Sequence, residues 1–175
     1  PHIYKKDGYY YLMIAEGGTD FHHSVTIARS RKITGPYEGC PSNPILTHRH
    51  LGRKYPIQNA GHGDLVETRN GEWWMVLLAS RPYGGYYRNL GRETFLVPVV
   101  WEDGWPVVSP GTGKVEFSYP CPQLPEWKVN PPEPVDHFDK GSLAPCWNLL
   151  RTPREEIYSL TERPGFLRLR VRPPR

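Results

Sequence analysis

The stretches Asp7-Gly8-Tyr9-Tyr10-Tyr11-Leu12-Met13 and Asn70-Gly71-Glu72-Trp73-Trp74-Met75-Val76 each place an Asx-Gly pair directly before an aromatic run. Such a pair ahead of alternating apolar residues is a strong short-range signal for a β-hairpin. The pair recurs 63 residues further along the chain, which indicates a repeated sheet unit of the kind found in propellers and solenoids. We therefore expect an all-β protein built from repeats.

Each copy continues into a second strand-like run, His23 to Ser30 in the first and Glu93 to Val100 in the second. Two such units are fewer than the roughly four to eight blades of a closed propeller, so their open edges must be paired or covered. The chain also starts at Pro1 without a methionine. We expect it to be one part of a longer propeller protein.

Composition points to a globular protein that is poor in long helices. Hydrophobic residues make up 38% and aromatic residues 13% of the 175 positions, and no apolar run approaches the roughly 18 residues of a membrane span. The 17 glycines and 20 prolines disfavour long helices. These numbers favour an all-β protein without a membrane partner.

The net charge of +4 is a local feature of the C-terminal residues. Residues 151–175 hold seven arginines and three glutamates, whereas positive and negative residues balance at 15 each before them. Arginine alternates with apolar residues from Phe166 to Arg172, which favours a half-buried strand with a solvated basic face over a phosphate-binding strip. We expect no nucleic-acid partner.

The three cysteines, Cys40, Cys121 and Cys146, are odd in number and lack close metal-ligand spacing. They predict neither a disulfide framework nor a zinc site. They also leave the cellular compartment open, and the oligomeric state stays open too, with a homo-oligomer among the alternatives.

The proline-rich stretch at 129–135 divides the chain into two predicted domains. Residues 1–128 carry the repeats, and residues 136–175 carry two further strand candidates, Ile157 to Leu160 and Phe166 to Val171. About 40 residues lie at the lower limit for independent folding, so we expect this second domain to be truncated.

Two long connections are candidate binding surfaces, because loops on a rigid sheet often carry function. One runs from Thr47 to Asn59 and includes His48 and His50; the other runs from Ser80 to Leu90. The second loop contains three tyrosines, Tyr83, Tyr86 and Tyr87. Ordinary packed loops explain both connections equally well.

His62 lies between Gly61 and Gly63, just ahead of a predicted strand. Flanking glycines allow a close backbone approach, so this imidazole is a candidate to contact a ligand or a cation, directly or through water. A turn with a histidine satisfied by neighbouring backbone is the equal alternative.

Matching positions in the two units hold Arg92 after Gly91, and Glu16 and Thr19 around Gly17-Gly18. In a propeller these strand ends, together with that of His62, would converge at one end of the axis. A surface ion pair between Arg92 and Glu93 and a plain hairpin turn at Thr19 are the alternatives. Hydroxyl, imidazole, guanidinium and carboxylate groups near many aromatic rings suit a sugar ligand.

Seven ordered motifs together resemble glycoside hydrolase family 43, in particular its β-xylosidases and α-L-arabinofuranosidases with an appended sandwich. The motifs are Pro1-His2-Ile3-Tyr4-Lys5, Ala15-Glu16-Gly17-Gly18-Thr19, Ala28-Arg29-Ser30, Gly35-Pro36-Tyr37-Glu38, Ala60-Gly61-His62-Gly63-Asp64, Leu90-Gly91-Arg92-Glu93-Thr94 and Asp103-Gly104-Trp105-Pro106. Residues 138–169 resemble the start of the family's concanavalin-like C-terminal β-sandwich. The resemblance covers nearly the whole chain.

The resemblance implies a partial five-bladed β-propeller, about two blades plus flanking strands, followed by the start of a β-sandwich. Family members hydrolyse glycosides with inversion, using an Asp base, a Glu acid and a second Asp that tunes the acid. The acid stands in a Glu-Gly-Pro-His motif, of which Pro1-His2 are present here. We expect the acid just before Pro1, both Asp residues in earlier blades, and no activity from these 175 residues alone.

Carried over by residue, the resemblance assigns Arg92 to a sugar hydroxyl, Thr19 to the sugar pocket, and His62 to the axis near a bound cation, often calcium. The chemistry requires no cofactor. We do not assign the missing catalytic roles to Glu16, Asp64 or Glu93. Glu93 could pair with Arg92, and Asp64 could cap a turn.

The expected partner is therefore a xylo- or arabino-oligosaccharide from hemicellulose, and β-xylosidase is the favoured activity. The competing interpretation is a non-catalytic propeller module that binds carbohydrate or protein.

Overall fold

The computed structural model describes residues 1–85, 87–131 and 133–171 and divides the chain into two compact units, residues 1–126 and residues 127–175. Each unit is described by itself. The chain is all-β as expected, since its described part contains strands and one short 3₁₀ turn at Arg49–Leu51.

The first unit begins with an antiparallel sheet of five strands. They are β1 (His2–Lys6), β2 (Tyr9–Glu16), β3 (Ser24–Ser30), β4 (Glu38–Gly39) and β5 (Leu46–Thr47). β1, β2, β3 and β4 lie side by side in chain order, and β5 also pairs with β3. Asp7 and Gly8 form the predicted turn with φ values of 48° and 77°, the left-handed conformation that a two-residue hairpin requires.

The second sheet of this unit has four antiparallel strands in chain order. They are β6 (Gln58–Glu67), β7 (Trp73–Ser80), β8 (Glu93–Glu102) and β9 (Trp105–Val108). Asn70-Gly71 lies in a longer turn than its counterpart, since Thr68 N donates to Glu72 O at 2.8 Å. The two predicted repeats thus correspond to two four-strand meanders, β1 to β4 and β6 to β9, as expected for two propeller blades.

The hydrophobic core lies where the two sheets face each other. Alternate residues of β2, β3 and β7 point into it, including Met13, Ile27, Met75 and Leu77, each at most 1% exposed. Burial of alternate residues is the pattern of a sheet that packs mainly on one face.

Arg29 joins the two sheets at the periphery of this core. Its guanidinium lies between the rings of Trp105, at 4.2 Å, and Tyr9, at 4.8 Å, and Nη1 donates to Gly104 O at 3.0 Å. Tyr11 Oη donates to the same carbonyl at 2.7 Å. Cation–π stacking and shared hydrogen bonds therefore fix the β8–β9 turn against the first sheet.

The other face of the second sheet is apolar and open. Val76 and Leu96 are directly paired across β7 and β8 and are 37% and 42% exposed. Their strand neighbours Met75 and Val97, which point to the opposite face, are completely buried. Trp74, on the same face as Val76, is only 6% exposed, so the described part of the chain covers this face in part.

The second unit contains one small antiparallel pair, β10 (Tyr158–Ser159) and β11 (Arg168–Leu169). Both strands fall inside the predicted segments. The expected half-buried alternation is absent here, because Phe166 and Leu169 are 51% and 64% exposed. The last positions of the predicted basic segment and of the predicted sandwich domain, residues 172–175, lie outside the described residues.

The basic strand pairs with acidic side chains of its own unit. Arg170 Nη2 contacts Glu162 at 2.8 Å and Glu156 at 3.5 Å, and Arg168 Nε contacts Glu162 at 3.2 Å. In the described ranges no helix has the length and apolar character to cross a membrane. All three cysteines are free.

Candidate functional site

Thr19 and Arg92, which come from different sheets, line one cavity of about 350 Å³. Thr19 lies in the loop between β2 and β3, and Arg92 directly precedes β8. Ser80, at the end of β7, and Arg88 complete the wall together with Gly91. The cavity brings a hydroxyl and a guanidinium together, as the sequence analysis expected for a sugar pocket, although their roles stay predictions.

The loop that carries Thr19 has a tightly packed glycine turn. Gly17 adopts a φ of 75°, and a Cβ placed on it would lie 2.1 Å from the carbonyl oxygen of His22. Gly18 has a similar φ of 69° but open space around it. Only glycine fits at position 17, so the position of Thr19 depends on this residue.

An ion pair connects this loop to the opposite wall of the cavity. Arg88 Nη1 lies 3.4 Å from Asp20 Oδ1, and 66% of the Asp20 side chain is exposed. An exposed pair of this kind contributes little to stability. Its consequence is local: it links the loop of the first sheet to the loop of the second across the cavity.

Arg92 does not pair with Glu93, contrary to the alternative that the sequence left open. Glu93 accepts from Arg81 instead, whose Nη2 lies 2.6 Å from Oε1 and whose Nε lies 2.9 Å from Oε2. The hydrogen bond from Arg81 lowers the pKa of Glu93 below its ordinary value. Within the described ranges no hydrogen bond or ion pair engages Arg92, so its donors are available in the cavity.

His62 is exposed and lies in an irregular part of β6 with a φ of 52°. The neighbouring imidazole is that of His23, which is 2% exposed. Burial, followed by the nearby charges of His62 and Arg92, lowers the pKa of His23, whereas its hydrogen bond to Asn59 O opposes this shift. His62 and Arg92 therefore lie within electrostatic range of the same buried ring.

The cation prediction for His62, directly or through water, stays a prediction. Residues 1–85, 87–131 and 133–171 contain no group of three His, Cys, Asp or Glu side chains able to hold a metal. Water molecules can supply oxygen ligands of a calcium ion that the protein does not.

Asp64 does not cap a turn; it lies inside β6 and joins that strand to β1. Tyr4 Oη donates to Asp64 Oδ1 at 2.5 Å and accepts from Leu65 N at 3.0 Å, while His2 Nδ1 lies 3.7 Å from the same carboxylate. Burial and this hydrogen bond raise the pKa of Tyr4. Asp64 is thus occupied in holding the two strands together.

Of the two candidate loops, the first packs His48 into the core, whereas the second exposes its described tyrosines. His48 is 1% exposed; its Nδ1 donates to Ile57 O at 2.7 Å, and its Nε2 accepts from Val115 N at 2.9 Å. It is a satisfied core histidine. Tyr83 and Tyr87 are 54% and 69% exposed, and Tyr86 lies outside the described residues.

Sequence reasoning did not mark two residues of this region, Ser80 in the cavity wall and the buried His23. His23 was read only as the start of a strand, and Ser80 as the start of a loop. Ser80 is completely buried, and its Oγ has no hydrogen-bond partner in the described part of the chain. The His22-His23 pair at the entry to an aliphatic strand was a usable signal for the first, but nothing in the local sequence marks the second.

A larger groove of about 430 Å³ lies along β8, between Phe95 and the segment at 116–122. Of its ionised groups, Arg81 and Glu93 are paired with each other, and Glu116 is the third. The smaller cavity is the better candidate site because it combines hydroxyls with a guanidinium, that of Arg92, which no hydrogen bond or ion pair engages within the described ranges.

Two family models match most of the chain. The model of "Glycosyl hydrolases family 43" matches residues 1–106, and that of "Beta xylosidase C-terminal Concanavalin A-like domain" matches residues 135–175. The chain is 50% identical to a xylosidase/arabinosidase of Butyrivibrio fibrisolvens, over 99% of this chain and 34% of that protein. It is 46% identical to a non-reducing end α-L-arabinofuranosidase of Bacteroides ovatus, over 97% of this chain and 32% of that protein.

A solved structure shows the same similarity in three dimensions. The xylan β-1,4-xylosidase of Bacillus halodurans superimposes with a TM-score of 0.89 at 48% identity, over 97% of this chain and 33% of that one. The chain spans about a third of the length of the relatives it matches. Because the family model covers more than half of its residues, the chain belongs to glycosyl hydrolase family 43.

Proposed function

We propose that the protein containing this chain hydrolyses O-glycosyl bonds of xylo- or arabino-oligosaccharides from hemicellulose, with inversion at the anomeric carbon. These 175 residues supply groups that position the sugar. The observation that carries the proposal is the cavity shared by Thr19 and Arg92, at the meeting point of two sheets. A hydroxyl and a guanidinium that has no partner among the described residues offer the directed donors that a polyhydroxylated ring requires.

The chemistry itself is assigned to groups outside this chain. Inversion needs two carboxyl groups about 6.5 to 9.5 Å apart, so that a water molecule fits between base and sugar. Near the cavity, Asp20 is paired with Arg88, and Glu93 is paired with Arg81. Neither is placed as one member of an acid–base couple.

Xylose is the preferred glycone, and arabinofuranose is the second candidate. Relatives are named for both activities, and an appended sandwich domain favours exo-acting members by analogy. The proposed substrate is thus a short oligosaccharide that the enzyme binds at its non-reducing end.

Aryl β-D-xylopyranoside and aryl α-L-arabinofuranoside, tested on the full-length protein, distinguish these substrates. We expect faster hydrolysis of the xyloside, and the first-formed sugar, observed by proton NMR, is expected to have the inverted anomeric configuration. Absence of hydrolysis of both compounds would overturn the proposal and favour a non-catalytic binding module. A retained configuration would overturn the inverting mechanism.

A further inference from the structure

His23 lies against the strand that carries His62, although it belongs to the other sheet. It directly precedes β3, where its backbone N–H donates to Asp20 O at 2.9 Å. Its ring nitrogen Nδ1 lies 2.9 Å from Asn59 O, and a carbonyl can only accept. Nδ1 therefore carries the proton, and the hydrogen bond fixes both the position and the tautomer of the ring.

Gly61 packs directly against this ring. A Cβ at position 61 would lie 2.5 Å from both Cγ and Cδ2 of His23, a distance that real Cβ contacts do not reach. The backbone of β6 thus approaches the imidazole more closely than any other residue at position 61 would allow. The ring contacts β6 at two points, the carbonyl of Asn59 and the Cα of Gly61.

Between and beside these two points β6 departs from regular strand geometry. Its register against β7 shifts between Gln58 and Gly61 and again between Gly61 and Asp64. Asn59 and His62 adopt φ values of 59° and 52°, which are uncommon for residues other than glycine. Bulges of this kind redirect a side chain, and here the redirected residue is His62.

We propose that His23 is a positioning residue for the sugar site: its fixed ring holds the bulged segment of β6 and thereby sets the direction of the His62 side chain. The inference rests on the proposed function, because it takes His62 to contact the bound sugar or its ordered water. His23 itself is buried and acts through His62.

Two substitutions of His23 test whether the hydrogen bond to Asn59 O matters, or only the presence of a polar side chain. In His23→Asn the side-chain N–H₂ can take the place of the Nδ1 donor, whereas in His23→Gln the donor lies one carbon further out. In the full-length protein we expect His23→Gln to lower kcat/KM by about tenfold or more, and His23→Asn to retain at least about a third of it. His22→Gln, at the exposed neighbouring position, is the matched control and should leave kcat/KM unchanged.

A double-mutant cycle with His62→Ala tests whether His23 acts through His62. If it does, His23→Gln should cost less than about twofold in the His62→Ala background, because the side chain that it positions is gone. Equal losses in both backgrounds, or a loss in His23→Asn as large as that in His23→Gln, would overturn the proposal. Melting temperatures of all variants establish that each one is folded.

A structure of the His23→Gln protein tests the positioning role of His23 without relying on the proposed activity. We expect the φ of His62 to leave the left-handed region; an unchanged β6 would overturn the positioning role even in an active enzyme. Conversely, a displaced His62 in a protein that hydrolyses neither aryl glycoside would support the role of His23 and contradict the proposed function.

Discussion

At the scale of single residues, Arg92 lines the cavity with donors that no hydrogen bond or ion pair engages in the described part of the chain. Its neighbour Glu93 is held by Arg81 at 2.6 Å, which leaves the Arg92 guanidinium to the cavity that it shares with Thr19. A guanidinium can donate two parallel hydrogen bonds to a pair of hydroxyls, which a compact ammonium does not reproduce. The pairing of Arg81 with Glu93 therefore matters for function, because it keeps an adjacent carboxylate from neutralising Arg92.

Substitution of Arg92 should reduce transition-state binding. A hydrogen bond to a charged group contributes about 1.5–3 kcal/mol, so we expect Arg92→Ala to lower kcat/KM on the preferred aryl glycoside by roughly 10- to 150-fold. Arg69→Ala, in the exposed turn after β6, removes an arginine far along the chain from the cavity and should have no effect. Equal activity of the two variants would contradict the assigned role of Arg92.

His48 should make stability depend on pH near neutrality. Burial lowers its pKa below the ordinary value near 6.5, and its Nε2 accepts a hydrogen bond from Val115 N, which requires a neutral ring. Because the unfolded state takes up the proton first, this stabilisation is complete above about pH 6.5 and is lost as the pH falls through the lower pKa of the folded state.

We therefore expect the melting temperature of the wild type to fall between pH 7.5 and pH 5.5. His50→Gln, at an exposed neighbouring position, should show the same decrease. His48→Gln should melt at a lower temperature at pH 7.5 but with a smaller decrease, although His23 still contributes in the same direction. If the melting temperature of His48→Gln falls with pH as steeply as that of the wild type, His48 is not a source of the pH dependence.

At the scale of elements, the loop between β2 and β3 is shaped by two adjacent glycines with different requirements. Both have positive φ, so alanine at either position costs about 1 kcal/mol or more in backbone strain. Only at Gly17 does the added Cβ also meet the backbone, at 2.1 Å from His22 O, and backbone atoms cannot move aside as a flexible side chain can.

Gly17→Ala should consequently lower the free energy of unfolding by more than about 2 kcal/mol, and Gly18→Ala by only about 1 kcal/mol. Urea denaturation of both variants measures this difference. Because the displaced loop carries Thr19, we also expect kcat/KM to fall in Gly17→Ala and to stay near the wild-type value in Gly18→Ala. Equal stability of the two variants would contradict the packing at position 17.

The strands were predictable because their signals are local. Asp7-Gly8 fixes a two-residue hairpin through its own backbone preferences, and alternation of apolar residues marks the buried face of the strands that follow. The bulges of β6 were not predictable in the same way. Their cause is a ring from another sheet, His23 against Gly61, and contacts between distant residues leave no trace in a local pattern.

At the scale of the whole molecule, a repeat argument and the family resemblance both placed Thr19 and Arg92 in the same site. Equivalent strand ends were expected to converge, and these two residues do line one cavity, whereas His62 does not line it. The sequence left the partner of Glu93 and the burial of His48 open, because each depends on contacts between residues distant in the chain: Arg81 for the first, Val115 for the second. Repetition therefore predicts where a site lies better than it predicts which polar groups are free in it.

We propose that this chain positions the sugar and that other parts of the protein supply the acid and the base. We therefore expect the isolated 175-residue chain to release no sugar from aryl xylosides or arabinofuranosides. Positioning groups can lower a barrier by a few kcal/mol, but hydrolysis also requires an acid for the leaving group and a base for the water, and the carboxylates beside the cavity are held by Arg81 and Arg88. Release of the aryl alcohol is measured for the chain and, as a control, for the full-length protein under the same conditions. Release by the isolated chain clearly above the buffer rate would show that it contains a complete acid–base pair, and the assignment of the chemistry to other parts of the protein would then be wrong.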